Sequence, residues 1–135
     1  MQTYTNKDIE ILISTQNRDS LSFLENIFPC HQLTTLNILI VNQTSENCLL
    51  QSDYQNIRVI NSFEKGLSKS RNLALQNASK KIGIIADDDI IFKKNFQDIV
   101  IQGFIKFSKS AVIRFMYEKT VGNLANSYPK KEKLD

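Results

Sequence analysis

Short apolar runs alternate with amphipathic segments along this chain, and the pattern predicts strands that alternate with helices. Four nearly continuous apolar runs are typical of buried strands, and they lie at 9–14, 36–41, 57–61 and 82–87. Segments with apolar residues at helical spacing lie at 18–28, 66–79 and 95–107. A fifth strand is predicted at 111–118, and the pattern fades after Val121.

The residues at the helix ends support this assignment. Asp19 or Ser20 is a candidate N-cap of the first predicted helix, and Pro29 ends that helix. Gly66 or Ser68 opens the second predicted helix. We therefore expect three helices between and after strands that are short and buried.

The alternation of strands with helices predicts an α/β domain with a mainly parallel sheet that is flanked by helices. We place this domain at residues 1–121 and a polar, basic tail at 122–135. In such sheets, ligands bind at the edge formed by the carboxyl ends of the strands. Polar residues that this edge would bring together follow the first four predicted strands, at 14–18, 42–46, 61–66 and 87–89.

The composition is that of an ordinary globular domain. The chain has 135 residues, of which 41% are hydrophobic and 23% charged, and its formal net charge is +3. This length accommodates one domain with a core, and the mild charge gives no reason to expect a nucleic-acid partner. Cys30 and Cys48 lack the spacing of a zinc site, so we expect reduced thiols.

Two further features bear on where the protein acts. No apolar run approaches the roughly 18 residues that a membrane span needs, and the N-terminus lacks the pattern of a signal peptide. We therefore expect a cytoplasmic protein. The segment "PKKEKLD" is either a solvated end or a point of peripheral contact with anionic lipid at the inner face of the membrane.

Three adjacent carboxylates, Asp87, Asp88 and Asp89, follow the fourth predicted strand. If the extended backbone continues through them, Asp87 and Asp89 point to one side and Asp88 to the other. Two carboxylates about 4 Å apart repel each other by roughly 4 kcal/mol at an effective dielectric constant near 20. A divalent cation that completes its shell with phosphate and water would relieve this repulsion.

Three other interpretations of the aspartates are possible. Ile91 and Phe92 stand where a calcium-binding EF-hand loop needs an oxygen ligand and a glycine, which excludes that loop. A phosphatase-like nucleophile is disfavoured because the motif follows the fourth strand and not an N-terminal one. A solvated acidic turn stays open as the structural alternative, although the position at the ligand-binding edge favours a cation site.

Four segments of the chain resemble, in order, the nucleotide-sugar-binding half of family 2 glycosyltransferases. They are "ILISTQNR", "NILIVNQTSEN", "GLSKSRNLALQNAS" and "IGIIADDDIIF", and the resemblance runs from about residue 9 to residue 105. It implies the Rossmann-like GT-A fold, whose mainly parallel sheet binds a nucleotide-diphosphate sugar.

The resemblance also implies a divalent metal ion, Mn²⁺ or Mg²⁺. This ion would bridge Asp89 and the diphosphate of the donor, and Asp87 would lie near the donor ribose or near the metal ion. Asp88 is counted with the donor-binding residues, but the strand alternation places it on the other face.

Five further residues are implied at the nucleotide. Thr15 and Arg18 would border the base and ribose, and Arg71 would face the nucleotide at a helix N-terminus, where anions are favoured. Asn42 and Gln43 stand where the family often has acidic residues that accept hydrogen bonds from the base. Both amides can donate and accept, so base recognition is retained, but a preference for uracil does not follow.

The resemblance implies transfer of a sugar from the nucleotide-diphosphate sugar to an acceptor hydroxyl, with inversion, in glycan or polysaccharide synthesis. The acceptor would be a glycan or a lipid-linked molecule. No catalytic base can be assigned, because family members run well past residue 135 and carry the base in their later half. We therefore expect a truncated donor-binding part, whose exposed apolar surface would favour self-association.

Two alternatives to this enzyme remain. One is a non-catalytic module that binds the nucleotide sugar and the metal ion but lacks the acceptor-binding half. The other is an unrelated flavodoxin-like domain with an edge that binds a partner.

Overall fold

A computed structural model of the chain describes residues 3–113. Within them, four strands and three helices follow one another along the chain, with no helix between the second and third strands. The strands are β1 (Ile9–Gln16), β2 (Ile38–Gln43), β3 (Ile57–Ser62) and β4 (Ile82–Asp87). The helices are α1 (Leu24–Ile27), α2 (Leu67–Asn77) and α3 (Phe96–Lys106), with short 3-10 turns at Asn6–Asp8, Leu21–Phe23 and Leu33–Thr35.

The four strands form one sheet in the order β3-β2-β1-β4. Each neighbouring pair is parallel, which confirms the predicted α/β class and its parallel sheet. In the register of the sheet, Ser14 of β1 lies beside Val41 of β2 and Asp87 of β4. The carboxyl ends of these three strands therefore meet at one edge, which we call the carboxyl edge. The opposite edge, where the strands begin, is the amino edge.

The two central strands hold the core. Every residue of β2 is buried, and on β1 only Ser14 and Gln16 are not. On the face that α2 covers, Leu12, Leu39, Val41 and Ala74 form a buried cluster. Gly83 of β4 lies close to Leu12 of β1 on this face. A Cβ atom added at Gly83 would stand only 3.1 Å from Leu12 Cδ1. Burial of each large aliphatic side chain contributes roughly 1.5 to 3 kcal/mol, so these strands fix the position of the carboxyl edge.

The first helix differs from its prediction at 18–28. The backbone is extended at Ser20, with φ −146°, and the chain then makes one 3-10 turn before the short helix α1. Ser20 precedes that turn but makes no side-chain capping hydrogen bond. A helix cannot run through residues 18–20 because the extended backbone at Ser20 interrupts it. The turn before this segment contains Asn17 in the left-handed conformation, at φ +53°.

The chain divides into two compact units. One is Tyr4–Gln97, which contains the whole sheet. Among the described residues, the other consists of Thr3 and of residues 98–113, which include most of α3. The predicted fifth strand at 111–118 falls mostly outside the described residues, and so do the boundary at 121 and the basic tail. No helix within 3–113 has the length and apolar character that a membrane crossing requires.

Candidate functional site

An open cleft of about 350 Å³ lies at the carboxyl edge of the sheet. Its lining comes from the ends of β1, β2 and β4 and from the beginning of α2. The lining residues are Ser14, Thr15, Gln16, Gln43, Leu67, Ser70, Asp87, Asp88 and Asp89. Parallel α/β sheets bind ligands in this position, so the cleft is the candidate site.

All three aspartates border this cleft, and the expectation that Asp88 faces away from the other two was wrong. The strand β4 ends at Asp87, and the two residues that follow belong to a turn. The alternation of side chains therefore stops before Asp88. In this turn, Asp88 Oδ2 accepts a hydrogen bond of 2.7 Å from Thr15 Oγ1.

Arg18 is held in place by three partners at the end of β1. Its Nη2 lies 3.1 Å from Asp88 Oδ2, and its Nε donates to Thr15 Oγ1 at 2.9 Å. The guanidinium carbon stands 4.4 Å from the centre of the Phe23 ring, a cation–π geometry. Arg18 and Asp88 both keep about a third of their side-chain surface in solvent, at 36% and 35%. Arg18 does not itself line the cleft, but its partly exposed guanidinium is bonded to Asp88, which does.

Arg71 approaches the same edge from α2. Its Nη2 lies 3.1 Å from Asp87 Oδ1, and the two side chains are 40% and 45% exposed. The Nε atom of Arg71 is buried and has no hydrogen-bond partner within the described part of the chain. An unsatisfied buried donor is unfavourable, and rotation of the guanidinium towards a ligand oxygen would relieve it.

Asp89 differs from its two neighbours. It is exposed, and no hydrogen bond or ion pair joins it to another of residues 3–113. Among those residues there is also no group of three His, Cys, Asp or Glu side chains that could enclose a metal ion. Asp87 and Asp89 could supply the one or two carboxylates that a cation such as Mg²⁺ takes when phosphate and water complete its shell.

The two amides predicted at the base occupy different environments. Gln43 borders the cleft, and its Nε2 donates to the carbonyl oxygen of Gly66 at 2.7 Å. Gly66 precedes α2 at φ +120°, which requires glycine. Asn42 is fully buried, is absent from the cleft lining, and bonds to protein groups.

Several lining residues were not singled out from the sequence. Ser70 is buried on the sheet side of α2, and its Oγ lies 3.0 Å from Ser14 Oγ. The sequence marks Ser70 in one way, since it is a serine at a helical position where the spacing predicts an apolar residue. Leu67 gives the cleft an apolar side chain that is 48% exposed at the first turn of α2. Gln16, which also lines the cleft, and Phe23, which contacts Arg18 without lining the cleft, have no distinguishing pattern in the sequence.

His31 belongs to an aromatic cluster that contains the residues after the aspartates. The His31 ring packs edge-on against Phe96, with ring centres 5.0 Å apart, and its Nε2 lies 3.0 Å from the carbonyl oxygen of Lys94. Phe28 stacks on Phe92 at 5.0 Å between centres. This aromatic cluster fixes the segment that follows the aspartates to the end of α1. Both cysteines are free thiols.

Comparison of the chain with protein-family models, with curated proteins and with solved structures found no match.

Proposed function

We propose that the cleft binds the nucleoside diphosphate of a nucleotide sugar together with Mn²⁺ or Mg²⁺, and that the domain is the donor-binding part of a GT-A glycosyltransferase of family 2. The observation that carries the proposal is the convergence of three carboxylates and two arginines at one carboxyl edge. A parallel sheet, a D-x-D turn and a helix N-terminus at the same cleft agree with it.

The charges of the site explain why a cation and a diphosphate would bind together. Three negative carboxylates and two positive guanidinium groups leave a formal charge of −1. Without a cation, the negative site would repel the negatively charged diphosphate. One divalent cation changes the formal charge of the site to +1, and the cleft then attracts the diphosphate.

The roles of the residues follow from their contacts. Asp89 and Asp87 would hold the cation, which when bound neutralises the charge of the leaving diphosphate. Arg18 and Arg71 would donate to phosphate oxygens, because a guanidinium bonds phosphate as readily as it bonds a carboxylate. Thr15 and Asp88 would keep Arg18 at the mouth of the cleft.

Transfer of the sugar to a glycan or lipid-linked acceptor hydroxyl, with inversion, completes the proposal. That step needs a base to remove the proton of the hydroxyl. Within residues 3–113, the three aspartates are the only ionisable side chains that line the cleft, and they are assigned to the cation and to Arg18. This observation favours a second candidate function, a module that binds the donor without transferring the sugar. We also propose that the chain contacts the membrane peripherally and that it self-associates. Both properties are compatible with either function.

Calorimetry tests donor binding. We expect UDP or GDP to bind in the presence of Mn²⁺ and binding to be lost in EDTA. Asp89→Ala should abolish binding in Mn²⁺, while Asp53→Ala, which removes an exposed carboxylate outside the cleft, should not change it. Nucleotide binding that is indifferent to Mn²⁺ and to Asp89→Ala would contradict the assignment of the cation site.

A second measurement separates the two candidate functions. Release of nucleoside diphosphate is followed for a panel of nucleotide sugars, with and without acceptor sugars. Turnover that disappears in Asp89→Ala would support the transferase. Metal-dependent binding without any turnover would support the binding module.

A further inference from the structure

We infer that the buried Asn42 and the half-buried Asn61 form a brace that positions Arg18, and that Asn42 does not contact the ligand. The inference concerns the backbone of the Asn17–Arg18 turn, which carries the Arg18 side chain to the cleft. The expected effect on ligand affinity rests on the proposed function. The expected effect on the Arg18 backbone in the free protein does not.

Asn42 uses its whole side-chain amide on protein groups. Its Oδ1 accepts from the backbone N–H of Arg18 at 3.0 Å, and its Nδ2 donates to the carbonyl oxygen of the same residue at 3.0 Å. The second Nδ2 hydrogen goes to Asn61 Oδ1 at 3.1 Å. The side chain is fully buried, so no ligand atom reaches it in this arrangement.

Asn61 supports Asn42 from the neighbouring strand. The two residues lie side by side in the register of β2 and β3. Asn61 Oδ1 also accepts from the backbone N–H of Leu50 at 3.0 Å, and its Nδ2 donates to the Leu50 carbonyl oxygen at 2.9 Å. Because Leu50 is itself buried, the brace extends from the core to the turn.

The turn that the brace holds has an unusual backbone. Asn17 adopts φ +53°, a left-handed conformation that is uncommon outside glycine but that asparagine tolerates. Its N–H donates to the carbonyl oxygen of Gln43 at 3.0 Å, and Cys48 Sγ lies 3.8 Å from its carbonyl oxygen. Asn42 binds the backbone N–H and the carbonyl oxygen of Arg18. Together, Asn42, Gln43 and Cys48 therefore contact every polar backbone group of the Asn17–Arg18 turn.

An amide suits position 42 and a carboxylate does not. An aspartate there could still accept from the Arg18 N–H, but it would place oxygen against the Arg18 carbonyl and Asn61 Oδ1, which both need a donor. This explains an asparagine at a position where the resembling family often has an acidic residue.

The free protein gives the first test, by NMR-detected hydrogen exchange in the whole chain. In Asn42→Ser, the Arg18 backbone N–H should exchange roughly tenfold faster, because its acceptor is lost. The Arg18 Nε–H signal, protected by Thr15, should broaden. Asn61→Ser should also speed the exchange of the Arg18 backbone N–H, but by a smaller factor. This variant provides the test if Asn42→Ser does not fold.

Asn56→Ser is the matched control. Asn56 donates its side-chain amide to the carbonyl oxygens of Leu33 and Leu36 near the amino edge, away from Arg18. Its replacement should leave both Arg18 signals unchanged. Equal Arg18 exchange in wild type, Asn42→Ser and Asn61→Ser would overturn the brace.

Ligand affinity gives the second test, as a double-mutant cycle with UDP or GDP and Mn²⁺. Asn42→Ser should weaken binding roughly tenfold, and it should have no further effect in an Arg18→Ala background, because Asn42 acts through Arg18. Equal losses in both backgrounds would overturn the positioning role.

Asn42→Asp separates the brace from direct base recognition. The brace predicts weaker nucleotide binding and faster Arg18 exchange, whereas a base contact predicts unchanged exchange with kept or improved binding. If no nucleotide binds to the wild type, the proposed function fails. The exchange measurements then still decide whether the brace exists.

Discussion

Arginine–carboxylate pairs occur at both edges of the sheet, but the two edges use them differently. At the amino edge, Glu10 is only 2% exposed, and Arg58 Nη2 lies 2.8 Å from its Oε2. The backbone N–H of Ser79 donates to Oε1 at 2.8 Å, and Arg58 also donates to the carbonyl oxygen of Asn77 at 2.7 Å. This pair joins β1, β3 and the end of α2.

At the carboxyl edge, the carboxylates of Asp87 and Asp88 keep 45% and 35% of their side-chain surface in solvent. Each is paired with one arginine at 3.1 Å, and both partners of each pair stay partly exposed. Partly exposed pairs contribute little to stability, whereas a buried carboxylate depends on its partners. The same chemical pair is therefore structural at one edge and available to a ligand at the other.

The largest expected effect on stability lies at the amino edge. Glu10→Ala should lower the free energy of unfolding by about 3 kcal/mol, because it leaves the Ser79 N–H and Arg58 without their acceptor. Urea denaturation measures the change, with Asp53→Ala as an exposed control. A loss no larger than that of the control would show that the buried carboxylate does not stabilise the fold.

A smaller effect is expected for the corresponding change at the carboxyl edge. Asp88→Asn should lower the free energy of unfolding by less than about 1 kcal/mol, since the pair with Arg18 is partly exposed and Thr15 can still donate to the amide oxygen. The same urea titration measures it. A loss as large as that of Glu10→Ala would make the Asp88 pair structural and would remove the contrast between the edges.

Salt should distinguish the two edges further. A double-mutant cycle between Arg71 and Asp87 should give a coupling of about 0.5 kcal/mol at low salt that disappears near 1 M salt, because exposed charges are screened. The cycle between Arg58 and Glu10 should retain its coupling at high salt, since Glu10 is buried. Equal salt dependence of the two cycles would contradict the comparison.

The smallest effect is expected at Asp89, and its sign is reversed. Asp89→Asn should raise Tm by roughly 1 °C, because it removes a negative charge next to two others and breaks no bond within the described part of the chain. Calorimetry of the ligand-free protein, with Asp53→Asn as the control for charge, measures it. A fall in Tm would mean that Asp89 stabilises the fold.

Most of the fold could be predicted from the apolar pattern. The four strands and the helices α2 and α3 lie within about two residues of their predicted ranges, because buried runs and helical spacing are local signals. The helix predicted at 18–28 is the exception. Its first residues are taken by the Asn17–Arg18 turn, whose conformation depends on hydrogen bonds to Asn42 and Gln43 from a distant part of the chain.

The candidate site could be predicted in part. The structure brings Thr15, Gln43 and the three aspartates to one cleft and pairs Arg18 and Arg71 with two of those aspartates. The pairing itself was not predictable, because it joins residues 70 and 16 positions apart in sequence. The orientation of Asp88 was predicted wrongly, because the alternation of side chains was extended past Asp87, where both the predicted strand and β4 end.

The sequence by itself determined the strands, the order of the polar segments that follow them and the residue types that cluster at 87–89. Only the tertiary structure decided which polar side chains face the cleft and which are used inside the protein. Asn42, which was predicted at the base, is buried among protein groups. Asp88, which the strand alternation placed on the other face, borders the cleft. A polar residue at a strand end takes its role from the partners that the neighbouring strands supply, and those partners come from distant parts of the sequence.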